Sequence, residues 1–227
     1  MMRNLLNLFF PNVCLACLVH LTDGEVYVCT TCRHNFPVTE YHFTNSDAVK
    51  NVLYGRVKLE EATALLEFSK KGIVQQLLHN LKYRGQEDVG VFLGQWLGNE
   101  LKTIPRYAAT IDVVIPVPLH KFKLRKRGYN QVDKFGREIA KALKCEYNTS
   151  VLQKVTNTKT QVFKNRLTRT APNNAVFELK DFNYLKGKHI LLVDDIITTG
   201  ATLESCANVL LQTEELKISI ATMAITI

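Results

Sequence analysis

One stretch of this chain limits its fold more than any other: Ile190-Leu191-Leu192-Val193-Asp194-Asp195-Ile196-Ile197-Thr198-Thr199-Gly200-Ala201-Thr202. Four successive apolar residues fit a strand buried on both faces, as at the centre of a parallel sheet. Two acids close the strand, a short hydroxyl- and glycine-rich loop follows, and a helix opens at Ala201. Such a strand–loop–helix belongs to an α/β fold, whose ligands sit beyond the carboxyl ends of the strands. Loop N–H groups and the helix N-terminus converge there and suit a phosphate. Thr198, Thr199 and Thr202 add hydroxyl donors, and Gly200 lets the backbone come close because it has no Cβ. Adjacent acids repel each other, so an open strand end where Asp194 and Asp195 meet a diol or a cation accounts for the pair. The alternative is a plain strand–turn–helix with two surface acids.

The rest of the chain agrees with that class. Ala62 to Phe68 reads as a strand. Ile73, Leu77, Leu78 and Leu81 recur at helical spacing, as do Val89, Phe92, Leu93, Trp96 and Leu97, with a turn at Lys82-Tyr83-Arg84-Gly85 between the two helices. Gly90, Gly94 and Gly98 fall at every fourth position of the second helix and predict close helix packing. Ile111 to Ile115 is a short buried strand ended by Pro116 and Pro118. Val132, Phe135, Ile139 and Leu143 mark a helix, Ala175 to Leu179 a strand, Ala201 to Leu211 a helix and Lys217 to Ile227 a closing strand. Strands alternating with helices predict a parallel sheet covered on both faces. Residues 38–58 carry no strong pattern and are expected to wrap the body. There is no internal repeat.

Four of the six cysteines, Cys14, Cys17, Cys29 and Cys32, form two C-x2-C knuckles eleven residues apart. Each knuckle aims two thiolates at one point, and a pair of knuckles makes a tetrahedral sulfur site for Zn²⁺. Asp23-Gly24 supplies a turn between them, and Val26-Tyr27-Val28 reads as a short strand into the second. Two disulfides or a redox pair are the alternatives, and a reducing compartment disfavours disulfides. Four thiolates leave no open position, so the metal's role is structural. His20 and His34 lie nearby and are read as surface residues. Cys145 and Cys206 fall on apolar helical faces and read as core. The expected organisation is a zinc module over residues 1–40 and an α/β domain over 41–227.

Hydrophobic residues make up 46% of the 227, enough for a core without disulfide staples. Lys and Arg number 29 against 21 Asp and Glu, a net charge of +8 that favours a polyanionic partner or simply aids solubility. Five cations fall within Lys121 to Arg127, which read as a solvated basic turn or as a site for a polyanion such as a nucleic-acid backbone. No apolar run is long enough to span a membrane. The apolar start, Met1 to Pro11, is interrupted by Asn4 and Asn7 and is expected to dock on the fold of a cytoplasmic protein.

The 190–202 stretch resembles the phosphoribosyl pyrophosphate (PRPP) signature of type I phosphoribosyltransferases. Two further stretches narrow the likeness: Leu78-His79-Asn80-Leu81-Lys82-Tyr83-Arg84-Gly85, and Ile115-Pro116-Val117-Pro118-Leu119-His120 followed by Arg127-Gly128-Tyr129-Asn130-Gln131. With the cysteine knuckles, the chain resembles the ComF family, competence-associated phosphoribosyltransferase-like proteins, over nearly its whole length. The resemblance implies a type I phosphoribosyltransferase fold with a small N-terminal zinc ribbon. It implies that Asp194 and Asp195 hold the ribose hydroxyls and that Thr198, Thr199, Gly200, Ala201 and Thr202 cradle the 5′-phosphate. Pyrophosphate would meet Val117, Pro118 and Leu119, with Arg127 and Gly128 behind them. The mobile loop would lie within Thr156 to Asn174, where Gln161 and Arg169 match the family pattern and Pro172 departs from it.

The implied chemistry is displacement of pyrophosphate from C1 of the ribose with Mg²⁺ on the diphosphate. Purine-salvage relatives carry an acid where this chain has Thr198, which argues against a hypoxanthine-type mechanism. The acceptor is unknown and no general base is assigned, with His79 and His120 the candidates. Two classes stay open: a metal-dependent phosphoribosyltransferase, and a non-catalytic PRPP sensor in DNA uptake. The second class would have single-stranded DNA and competence-machinery proteins as its partners.

Overall fold

The structure is a computed structural model and describes residues 12–155 and 176–226. In chain order its elements are α1 (Thr30–His34), α2 (Tyr41–Thr44), α3 (Ala48–Val52), β1 (Ala62–Phe68), α4 (Ile73–Tyr83), α5 (Asp88–Leu101), α6 (Pro105–Ala108), β2 (Val113–Pro116), α7 (Lys121–Arg127), α8 (Asp133–Leu143), β3 (Glu146–Tyr147), β4 (Leu152–Lys154), β5 (Phe177–Leu179), α9 (Phe182–Leu185), β6 (His189–Ile197), α10 (Ala201–Leu210) and β7 (Lys217–Thr226). Among the described residues no helix is long and apolar enough to cross a membrane.

Five strands form one parallel sheet in the order β1-β7-β6-β2-β3. The apolar run 190–193 lies in its central strand, flanked by β7 and β2. Because side chains alternate along a strand, β6 divides the interior into two layers. Leu191 and Val193 join the core formed with α4, α5 and α8. Ile190 and Leu192 join the opposite core, with Val49 of α3, Leu203, Cys206 and Leu210 of α10, and the β4–β5 pair.

Several expectations change on contact with the structure. The strand expected at Ala175 to Leu179 is β5, which pairs antiparallel with β4 outside the main sheet. Val26–Val28 forms no strand: Tyr27 is left-handed at φ 66°, and its ring packs 6.0 Å from that of Phe92. The burial of that ring outweighs the local β pattern. The expected turn at Asp23-Gly24 is present, with Gly24 at φ 90°. The basic stretch Lys121–Arg127 is a helix rather than a turn. His120 caps its start, cations fill its last turn, and Gly128 ends it at φ 88°. None of its residues is buried, so no apolar face announces it in the sequence. Residues 38–58 do wrap the body: Thr39 N–H bonds Leu65 O at 3.1 Å, and Val49 and Leu53 enter the core. Cys206 is buried in α10 as expected, whereas Cys145 lies just beyond α8, half-buried. The docking expected for Met1 to Pro11 falls outside the described residues.

The glycines of α5 face α8. A Cβ on Gly94 would stand 2.6 Å from the carbonyl oxygen of Phe135, and one on Gly98 would stand 2.9 Å from Cβ of Ala142. A backbone oxygen inside a helix cannot step aside, so the two axes approach as closely as glycine permits. Gly94→Ala gains about 1 kcal/mol of helix propensity yet forces the helices apart, and overpacking costs roughly 1–3 kcal/mol. The expected result in denaturant unfolding is a net loss of stability for Gly94→Ala. A smaller effect is expected for Gly90→Ala, where the nearest atom is 3.3 Å away. A more stable Gly94→Ala protein would contradict this packing.

Candidate functional site

The site forms where the sheet loses one of its inner neighbours. On the β2 side, pairing with β6 ends at Pro116 and Val193. On the β7 side it continues through Asp194 against Thr222 to Ile197 against Ile225. The strand therefore does not end at the acids; it carries them past the end of β2. Alternation then sends the two carboxylates to opposite faces. Asp195 follows Leu191 and Val193 toward α4 and α8. Its Oδ1 lies 2.9 Å from Lys82 Nζ, and its Oδ2 accepts from Gln131 Nε2 at 2.7 Å. Asp194 follows Ile190 and Leu192 to the α10 face. Its Oδ1 accepts the N–H of Asp195 at 2.8 Å. Burial, then repulsion from Asp195, raises the Asp194 carboxyl far above the usual carboxylate range. Lys82 and then Lys154 of β4 partly offset this rise, and Lys154 is itself pushed down by desolvation and by Lys123.

Beyond Ile197 the chain turns through Thr198, Thr199 and Gly200 into α10. With Asp194, Ala201 and Thr202 these residues line a hollow of about 60 Å³. Both loop threonines and Thr202 are exposed, while Gly200 is buried at φ 74°. A side chain on Gly200 would be strained, and its Cβ would meet Leu53 Cδ2 at 2.7 Å. The first N–H groups of α10 have no helical acceptor and open onto the hollow. Arg56 braces the loop from outside: it donates to Thr199 O at 2.9 Å and to Glu204 in the first turn of α10 at 2.6 Å. Glu204 would otherwise leave an unpaired negative charge beside the hollow.

After β2, Val117 bonds Val193 O at 2.9 Å, and Pro118 and Leu119 follow. Pro118 and Leu119 edge a cleft of about 760 Å³ together with Lys121, Gly128, Asn130 and Lys154, whereas Val117 is buried in the core on the α10 side and does not line it. Arg127 points elsewhere. Its guanidinium donates to Gln131 Oε1 and lies 5.7 Å from the Tyr83 ring, along a neighbouring groove of about 530 Å³. The stretch Arg127 to Gln131 thus ties the site together: Tyr129 Oη donates to Leu81 O, Asn130 Nδ2 to Val117 O at 3.0 Å, and Gln131 to Asp195. Gln161 and Arg169 lie outside the described residues. His120 is buried as the cap of α7, His79 is exposed against Tyr83, and neither bonds to an acid.

Two residues at the acids and one at the loop beyond them escaped the sequence reading of roles. Lys82 and Gln131 stand inside the quoted stretches but gave no sign of meeting at Asp195. Arg56 lies in a segment without pattern, and nothing in the sequence marks it.

At the other end of the chain, one sulfur atom from each of Cys14, Cys17, Cys29 and Cys32 falls within 4.8 Å of all the others, and all four thiols are free. Cys17 Sγ and Cys29 Sγ are 3.8 Å apart. A tetrahedral ion with bonds of about 2.3 Å to sulfur needs edges of about 3.8 Å, so the set fits a structural metal. The module packs on α4 and α5: Phe36 meets Phe92 and Trp96 at 6.1 Å, and the buried Asn80 donates to Leu15 O at 2.8 Å.

Several known proteins are similar to this chain. Residues 134–225 match the family described as phosphoribosyl transferase domain. The chain is 24% identical over 218 residues to the DNA utilization protein YhgH of Escherichia coli O157:H7, covering 89% of this chain and 92% of that one. It is 25% identical to the competence protein ComFC of Bacillus subtilis, over 88% and 78% of the two chains. It is 32% identical to competence protein F of Haemophilus influenzae over 47% and 48%. Among solved structures, adenine phosphoribosyltransferase of Saccharomyces cerevisiae aligns with a TM-score of 0.37 and 17% identity, over 66% of this chain and 73% of that one. With its parallel sheet, its acid-and-loop strand end and its cysteine cluster, the chain is similar to these competence and DNA utilization proteins and carries a match to the phosphoribosyl transferase domain over residues 134–225.

Proposed function

We propose that the site binds PRPP with Mg²⁺ and that the protein acts as a cytoplasmic phosphoribosyltransferase on an acceptor still to be identified. The observation that carries this reading is the hollow at Thr198–Thr202 directly beyond two acids on the central strand. The loop's N–H groups and hydroxyls would take the 5′-phosphate, and Asp195 and Asp194 would orient the ribose diol. Pro118 and Leu119, with Lys121 and Lys154, would face the diphosphate. Transfer breaks the bond from C1 to the diphosphate oxygen, the electron pair leaves with pyrophosphate, and the acceptor bonds to C1. Carboxylate oxygens are the donors a hard cation takes. Among the described residues the only cluster of metal-type donors is the cysteine set, so Mg²⁺ would ride chiefly on the ligand's own oxygens. Bound there, it offsets charge on the leaving group.

The buried Asp194 gives this reading a test with two opposite signs. Its carboxyl is raised from 3.8 to about 8, so between those values the folded protein holds a proton that the unfolded chain has released. Asp194's contribution is therefore most favourable at acid pH and is lost as pH rises through about 8. Asp194→Asn should raise the melting temperature of the ligand-free protein by at least about 2 °C at pH 8, with a clearly smaller rise at pH 5. At pH 9, where the Asp194 carboxylate is ionised, the same variant should bind PRPP at least about tenfold more weakly by calorimetry, since a bond to a charged acceptor is lost. Unchanged PRPP affinity in the folded variant would contradict the assignment.

We assign Zn²⁺ to the cysteine cluster on its four sulfur donors and 3.8 Å spacing. Metal analysis of protein purified without added metal should give about one zinc per chain, and chelation should unfold the module. Less than about half an equivalent, with four freely titratable thiols, overturns the assignment.

One observation favours the second reading, a non-catalytic role with single-stranded DNA and the competence machinery. Tyr83 and Phe122 are 71% and 57% exposed along the groove that also holds Lys123, Lys126 and Arg127. Exposed rings between cations suit stacked bases and their phosphates. Oligonucleotide anisotropy at two salt concentrations should show salt-sensitive binding, weakened in a variant with Lys121, Lys123 and Lys126 changed to Ala. Wild-type protein with no such binding would assign the positive charge to PRPP alone.

A further inference from the structure

We infer that Lys82 selects for a diphosphate at C1 of the sugar, so that the pocket prefers PRPP to ribose 5-phosphate. The inference rests on the PRPP reading of the pocket and adds to it a residue outside the loops expected to touch the ligand.

Lys82 sits in the last turn of α4, and its side chain is only 22% exposed, with Nζ 2.9 Å from Asp195 Oδ1. It is the only cation bonded to either acid among the described residues. Gln131 occupies the other Asp195 oxygen and is itself held by Arg127, which fixes the carboxylate's orientation independently of Lys82. An ionised carboxylate accepts at about four lone-pair positions, so a diol can bond to Asp195 while Gln131 stays. In PRPP the 2-hydroxyl and the diphosphate stand on neighbouring carbons. An ammonium bonded to the carboxylate that receives the diol therefore stands beside the diphosphate, on the groove that meets the Pro118–Leu119 cleft at Tyr129.

The electrostatics favour a shift of Lys82 from Asp195 to the diphosphate. Without ligand, Lys82 has one carboxylate to balance and shares its groove with Lys123, Lys126 and Arg127, all of its own sign. A diphosphate brings more negative charge than Asp195 alone, and strong phosphate oxygens in place of a carboxylate oxygen already turned to the diol. Ribose 5-phosphate offers only a hydroxyl at C1, so Lys82 gains nothing by leaving Asp195. Its contribution then falls on PRPP and pyrophosphate and not on the monophosphate.

Calorimetry with PRPP and with ribose 5-phosphate, each with Mg²⁺, tests this on wild type, Lys82→Met and Lys82→Arg, with melting temperatures as the check on folding. Lys82→Met should lose roughly tenfold or more in PRPP affinity, while its ribose 5-phosphate affinity stays within about threefold of wild type. Lys82→Arg keeps the charge and should retain most of the preference for PRPP. An equal loss for both ligands in Lys82→Met would mean that Lys82 only positions Asp195, and would overturn the inference. Wild-type PRPP affinity in Lys82→Met would overturn it too. If wild-type protein binds neither ligand, the reading of the pocket itself falls, a result distinct from the other two.

Discussion

Everything at the candidate site depends on the unequal lengths of β2 and β6. A strand buried on both faces is held by ladders on either side. Here one ladder stops at Pro116, while the other carries β6 on to Ile197. Proline offers no N–H and suits that stopping point. The residues immediately beyond it, Asp194 and Asp195, are the first on β6 with an open flank. A polar ligand can reach backbone and carboxylate there without breaking the sheet. The side-chain period of two then divides the labour. One acid is served by Lys82 and Gln131 on the α4–α8 face, the other by burial and Lys154 on the α10 face.

Neighbouring elements hold this strand end in place. Leu53 fills the space below Gly200, and Arg56 ties the loop's carbonyl to the first turn of α10. Tyr129 and Asn130 fasten the start of α8 to the end of α4 and to the loop after β2. The tight glycine contact between α5 and α8 keeps that start from drifting. A loop with few internal bonds of its own is thus given a defined shape by Leu53 and Arg56, while Tyr129 and Asn130 hold the elements on the other side of the strand end.

Much of this was legible in the sequence because the signals were periodic or stereochemical. The boundaries of β1 at Ala62 and Phe68, the place of 190–193 at the middle of the sheet and the packing role of Gly90, Gly94 and Gly98 followed from apolar spacing and residue size. The convergence of Cys14, Cys17, Cys29 and Cys32 followed from their spacing. What stayed hidden was tertiary. α7 has no buried face, so periodicity is silent about it. Tyr27 gives up a strand conformation to place its ring on Phe92. The divergence of the two acids could not be read without knowing that the strand continues past them. A pairing such as Lys82 with Asp195, over a hundred residues apart, leaves no local trace.

The way the cysteine module is seated also bears on how the molecule can be divided. Its apolar residues, Ala16, Val28 and Phe36, belong to the same core as Phe92 and Leu97 of α5. The amide of Asn80, two residues before Lys82, is satisfied by a carbonyl of that module. Cutting the chain near residue 40 would therefore yield no clean second half. It would strip the cover from Phe92 and Trp96 and deprive a fully buried amide of its acceptor, on the helix that carries Lys82. The remaining body would be sticky and loosened at α4, so a shortened protein that failed to bind a ligand would say little about where that ligand sits.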